Sequence, residues 1–154
     1  MSARRPLWLF AAAAFLICIS FCVFAGEVSF QKDSLEIVTA DKKIAFDIEL
    51  ATSSQQKAQG LMFRKELPEK SGMLFLSESE EIYTMWMKNT YVPLDMIFFN
   101  SAGVITKIEK NTTPESISVI SSDSLVRGVL ELGAGITDKY NINPGDRLIY
   151  EAFE

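Results

Sequence analysis

From position 44 the chain alternates strictly. Ile44, Phe46, Ile48 and Leu50 are apolar, while Lys43, Asp47 and Glu49 are polar and Ala45 is small. Period two with one wet face predicts a half-buried strand, and with "SLEIV" and the Ala40-Asp41-Lys42 turn before it, residues 34–52 read as a β-hairpin. The period changes at "TSSQQKAQGLM". Ser53 followed three residues later by Gln56 is a capping-box pattern, and Gly60 closes a helix of about two turns. "FRKELPEKSG" is a polar loop broken by Pro68 and Gly72, "MLFL" a short buried strand, and "SESEE" a solvated acidic loop. "IYTMWMK" and "PLDMIFF" are strand-like, Asn100–Gly103 is a turn, and "VITKIEK" returns from it as the second arm of a hairpin. After the loop "NTTPES" come the strand "SLVRGVLEL" and a short second helix opening in "GAGITDKYNI". The Asn143–Asp146 turn and the closing strand "RLIYEAF" follow. Roughly eight short strands with two short helices predict a mainly β (β-rich α+β) domain, a compact antiparallel β sandwich or distorted barrel.

The two runs around "MWMKNTYVPLDM" (85–96) are in opposite phase. In the first, Met85 and Met87 share one face, and Thr84, Trp86 and Lys88 the other. In the second, Leu94, Met96 and Phe98 oppose Asp95, Ile97 and Phe99. Pro93 is poorly tolerated inside a central strand, so the chain bends or changes sheet between them. Asn89 and Thr90 then have two uses: bonding the freed backbone of a corner, or standing with Trp86, Lys88 and Asp95 at the lip of a cleft.

The N-terminus is patterned differently. Arg4 and Arg5 precede the uninterrupted apolar run 7–24, and Val23-Phe24-Ala25 gives a small-x-small pattern before Gly26-Glu27. That order predicts a secretory signal peptide cleaved after Ala25, leaving a single domain of residues 26–154. The run is also close to the minimum for a membrane span, so an uncleaved anchor is the alternative. The expected location is exported, periplasmic or extracellular. Membrane contact would occur only through residues 7–24 if they are retained.

Composition then narrows the chemistry. There is no histidine, and both cysteines, Cys18 and Cys22, lie in the apolar run. A Cys or Ser-His-Asp nucleophile and a zinc site of His and Cys ligands are excluded from the domain, and no cofactor is expected. The net charge is −5, and more negative once Arg4 and Arg5 are removed. A mildly acidic chain without a basic cluster is not expected to bind nucleic acid.

Three features could carry function. Glu131, between Leu130 and Leu132, places a carboxylate in a run that reads as buried, and demands a cation nearby. Arg64, Lys88 and Arg127 are the candidates. With Asp95, Glu131 would form the only carboxylate pair able to do acid–base work, as glycoside hydrolysis requires. Met62, Met73, Met85, Met87 and Met96 are soft thioethers in a short stretch, either core filler or a Cu(I) site. Gly133-Ala134-Gly135 could offer backbone amides to an anion, or simply make a tight strand-to-helix turn.

The order "GLMFRKELP", "GMLF", "WMKNT", "PLDMIFF", "LELGAG" and "NPGDRL" resembles a bacterial and archaeal family known as domain of unknown function 192, over residues 44–150. The resemblance implies a compact, mainly β domain, frequently exported, with no established activity. It implies that Trp86, Met87, Lys88, Asn89, Thr90, Pro93, Leu94, Asp95 and Glu131 are motif positions of that family. Gly133 stands where the family commonly has proline. The expected function is therefore non-catalytic binding of a small polar or carbohydrate-like ligand, or of an envelope protein partner. The ligand-binding residues would be Trp86, Lys88, Asn89, Thr90, Asp95, Glu131 and Arg64, and the alternatives are a polysaccharide hydrolase using Asp95 and Glu131 and, behind it, Cu(I) binding through the methionines.

Overall fold

The computed structural model describes residues 28–153, so the expected signal peptide or anchor lies outside the described residues. Among the described residues no helix is long and apolar enough to cross a membrane. The elements are β1 (Gln31–Val38), β2 (Lys43–Ala51), α1 (Ser54–Gln59), β3 (Ser71–Met85), β4 (Leu94–Phe99), β5 (Ile105–Glu109), β6 (Ile120–Gly133), α2 (Ile136–Tyr140) and β7 (Arg147–Ile149), followed by a 3-10 turn, Glu151–Phe153.

The seven strands form one sheet in the order β5-β4-β6-β3-β2-β1-β7. All neighbours are antiparallel except β2 and β3, whose parallel pairing requires the crossover that carries α1. The two outer strands nearly meet. Leu148 N donates to the Gly103 carbonyl at 2.8 Å, and Ile105 N to the Asp146 carbonyl at 2.9 Å. The result is a barrel-like sheet, the second of the two architectures expected.

The inward and outward faces bury different cores. Leu35, Ile37, Phe46, Ile48, Leu74, Ile97, Phe99, Leu130, Leu132 and Leu148 pack as one cluster contributed by six of the strands, with Ile105 from β5 completing it. This is the barrel interior, and Ile136 of α2 packs against it. The opposite face of β3, β4 and β6 carries Met73, Phe75, Met96, Phe98, Val126 and Val129, covered by Leu61 after α1 and by Met87. The predicted phase of 93–99 is thus realised, with Leu94, Met96 and Phe98 in the outer layer and Ile97 and Phe99 in the inner one. Gly128 sits where this seam is tightest. A Cβ there would run into the Phe75 carbonyl and come within 2.7 Å of the Phe99 ring.

Two elements differ from expectation. "SESEE" is not a loop but the middle of β3, whose distal half pairs with β6 beyond the barrel, bulging between Leu76 and Glu81. Its side chains are polar because this two-stranded ribbon is solvated, not because pairing stops. "RLIYEAF" is extended only over Arg147–Ile149 before turning into the 3-10 segment.

Candidate functional site

Asp95 and Glu131 are neighbours in the sheet but face opposite sides. Asp95 is the register partner of Leu132, and Met96 that of Glu131, so the period of two sends the carboxyls to the inner and outer faces respectively. The expected acid–base pair does not form.

Asp95 is fully enclosed, and its oxygens are committed. Oδ1 accepts from Asn111 N at 2.9 Å; Oδ2 accepts from Thr137 N at 2.9 Å and from Thr137 Oγ1 at 2.7 Å. Helix α2 begins at Gly135, in the left-handed region at φ 82° and without a side chain to cap it. Asp95 supplies that cap from β4. The anion near the Gly133–Gly135 turn is therefore the chain's own carboxylate, and the turn reading of "GAG" holds.

The "KNT" segment builds the corner. Asn89 takes a left-handed φ of 57°, its carbonyl accepts from Phe63 N at 2.8 Å, and Thr90 N donates to the Met87 carbonyl at 3.0 Å. Thr112, facing this corner, donates its hydroxyl to the Leu94 carbonyl at 3.0 Å and lies 3.2 Å from Met87 Sδ. The Asn89 amide points to Met62 Sδ at 3.9 Å. Lys88 is exposed, with Nζ 6.0 Å from the centre of the Trp86 ring.

Glu131 is the reverse of Asp95. It is only 4% exposed, yet none of the three candidate cations reaches it. Arg64 pairs with Glu49, Arg127 donates to the Ser77 carbonyl, and Lys88 stays beside Trp86. Among the described residues the carboxyl has neither ion pair nor hydrogen bond. Burial alone pushes its pKa up to about 8, which favours the protonated carboxylic acid at neutral pH.

The carboxyl faces a cavity of about 260 Å³. One wall is the end of α1 and the turn after it, from Lys57 to Met62. The capping box seen in the sequence starts this helix: Gln56 N donates to Ser53 Oγ at 3.2 Å, and Ser53 N to Gln56 Oε1 at 3.0 Å. Gly60 ends it at φ 49°, where a Cβ would stand 3.1 Å from the Phe75 ring, so the missing side chain lets the turn settle on β3. The opposite wall is Phe75, Thr84 and Met85 of β3, with Trp86 and Thr90 at the corner.

Of the seven expected site residues, Trp86, Thr90 and Glu131 line one cavity. Lys88 stands next to it through Trp86, Asn89 touches its wall through Met62, and Asp95 and Arg64 do not belong to it. Arg64 lines a different, larger cavity of about 390 Å³ that also holds Lys32, Asp33, Asp47 and Glu49, where charges face one another. Sequence reasoning missed the α1 wall. The one available signal was the capping box followed by Gly60 and Leu61-Met62, which places an apolar pair just past a helix end.

Fold and site define a class: a small, single-sheet β-barrel domain with one helix-walled cavity on its outer face. Residues 36–150 match the model of the DUF192 family, described as "Uncharacterized ACR", and the chain belongs to that family. A solved structure from Sinorhizobium meliloti 1021, described as a "putative transcription regulator", is similar at 41% identity with a TM-score of 0.80, covering 82% of this chain and 99% of that one. A protein of unknown function from Novosphingobium aromaticivorans DSM 12444 is similar at 32% identity with a TM-score of 0.75, covering 77% of this chain and 85% of that one. No curated protein matches the sequence.

Proposed function

We propose that this protein is a non-catalytic binding domain, exported by residues 1–25, that takes a small ligand into the Glu131 cavity. One observation carries the reading. The fold supplies three donors to Asp95 and none to Glu131, one register position away on the other face. A buried carboxyl without a partner costs several kcal/mol, and a structural role gives no return for that cost. A partner arriving from outside does. The ligand presents a hydrogen-bond donor or a cation to Glu131 and lies against Leu61, Met62, Phe75 and Met85, with the half-exposed Trp86 ring at the mouth.

Hydrolysis by Asp95 and Glu131 has no geometry behind it, because a single carboxyl faces the cavity. The regulator description of the Sinorhizobium protein, if it meant nucleic-acid binding, would call for a basic face; this chain has 15 basic against 20 acidic residues.

The test is a thermal-shift panel of amines, amides, sugars and cations on the purified protein. Ligands of the Glu131 cavity stabilise the wild type. They bind at least about tenfold more weakly to Glu131→Gln, and about tenfold more weakly to Trp86→Ala. A hit with equal affinity for all three proteins binds elsewhere, and a panel of only such hits rejects the reading.

A further inference from the structure

We propose that Glu131 and the thioethers around it are a site for a soft monovalent metal ion, Cu(I), which names the ligand class of the cavity and so rests on the reading above.

Register places the methionines. Glu131 pairs with Met73 of β3 on one side and with Met96 of β4 on the other. Directly opposed residues of antiparallel strands share a face, with Cβ atoms about 5 Å apart. A methionine therefore flanks the carboxyl on each side, both fully enclosed in the outer core. Met62 from the turn after α1 and Met85 from β3 line the same cavity that Glu131 faces. Met62 and Met85 line the cavity together with Glu131, and Met73 and Met96 stand behind it in the outer core, so thioethers surround one ionisable oxygen.

Methionine as core filler accounts for Met73 and Met96 alone, but not for an unpartnered acid set between them. Thioethers are weak hydrogen-bond acceptors and do nothing for a carboxylate. They do bind soft cations, and thioether-rich sites select Cu(I). Charge agrees. Neutral thioethers and one carboxylate balance a single positive charge. Hard divalent ions need several oxygen ligands, and among the described residues no group of three His, Cys, Asp or Glu side chains is assembled to hold one. An organic ammonium, the competing cation, would find one acceptor with full strength where it needs several.

Among the described residues Lys57 of α1 is the one other charged residue lining the cavity, and its ammonium donates to Ser77 Oγ at 2.9 Å. The faces of β3 and β4 opposite Glu131 present Met73 and Met96, which do not titrate.

The experiment uses Trp8→Phe/Cys18→Ser/Cys22→Ser protein, so that Trp86 is the sole indole and no thiolate competes for the metal. It is titrated anaerobically with Cu(I) under ascorbate, in competition with a chromophoric Cu(I) chelator, and with Ag(I) as a redox-inert substitute. The expected result is one equivalent retained, with quenching of Trp86. Glu131→Gln, Met62→Leu and Met85→Leu should each bind at least about tenfold more weakly. Methionine-to-leucine changes conserve volume, and thermal melts confirm that each variant is folded. No retained Cu(I), or retention that none of the three substitutions weakens, overturns the proposal. If Cu(I) is not retained while an organic ligand discriminates wild type from Glu131→Gln, only the metal inference fails. If nothing discriminates them, both readings fail.

Discussion

Asp95→Ala is expected to lower the unfolding free energy by about 4 kcal/mol, as measured by urea denaturation at neutral pH. The substitution leaves three donors, Asn111 N and the buried Thr137 N and Thr137 Oγ1, without their acceptor. Hydrogen bonds to a charged group contribute roughly 1.5–3 kcal/mol each, and losing them together is less than additive. It also uncaps α2, a five-residue helix with no cap of its own. Asp95→Asn keeps one acceptor but turns an amide N–H₂ toward a donor, so a smaller loss of about 2 kcal/mol is expected. Because Asp95 faces the barrel interior, ligand affinity in the outer cavity should stay within about twofold in Asp95→Asn. A loss of binding with stability intact would place Asp95 in the site after all.

Glu131→Gln is expected to have the opposite sign. The folded-state pKa of Glu131 lies near 8, against 4.5 when free of the fold. Below 4.5 the acid is protonated in both states and costs nothing in ionisation. Between 4.5 and 8 the unfolded chain gives up its proton while the folded chain retains it, so stability falls as pH rises. Above 8 both forms are ionised, and the loss is complete. Glutamine has no such slope. The variant should gain on the wild type across that window, by on the order of 3–5 kcal/mol at pH 9 relative to pH 4. The gain in stability should accompany the loss of binding, as for a group kept for function. Parallel stability curves for the two proteins from pH 4 to 9 would show that the cavity is wet and the carboxyl ordinarily solvated.

Much of this was legible in the sequence, for reasons that differ by residue. Alternation in 44–50 and the phase of 93–99 are local properties, so the hairpin and the two-faced strand β4 could be read directly. The capping box at Ser53 and Gln56 and the glycine after the helix announced α1 in the same way. Glu131 stood out because an acid between two leucines is costly wherever the strand lies. Its partner could not be read, because that depends on which strands are neighbours. Arg64 looked available until β2 placed Glu49 beside it. Asp95 and Glu131 looked like a pair until the register of β4 on β6 put them on opposite faces, an outcome decided by a one-residue offset. The same register set Met73 and Met96 beside Glu131, a neighbourhood that sequence order alone does not show. The acidic run "SESEE" misled because polarity signals solvent, and a ribbon extending from a barrel is as wet as a loop.

The central claim is that Glu131 is an acid held without a partner for something that arrives from outside. Its ¹³Cδ chemical shift, followed by NMR from pH 4 to 10 in Cys18→Ser/Cys22→Ser protein, free and again with one equivalent of Ag(I), tests this directly. The expected result is a midpoint near 8 in the free protein and an ionised carboxylate well below pH 7 in the loaded one. A midpoint near 4.5 in the free protein, unmoved by the metal or by any cavity ligand, would contradict it.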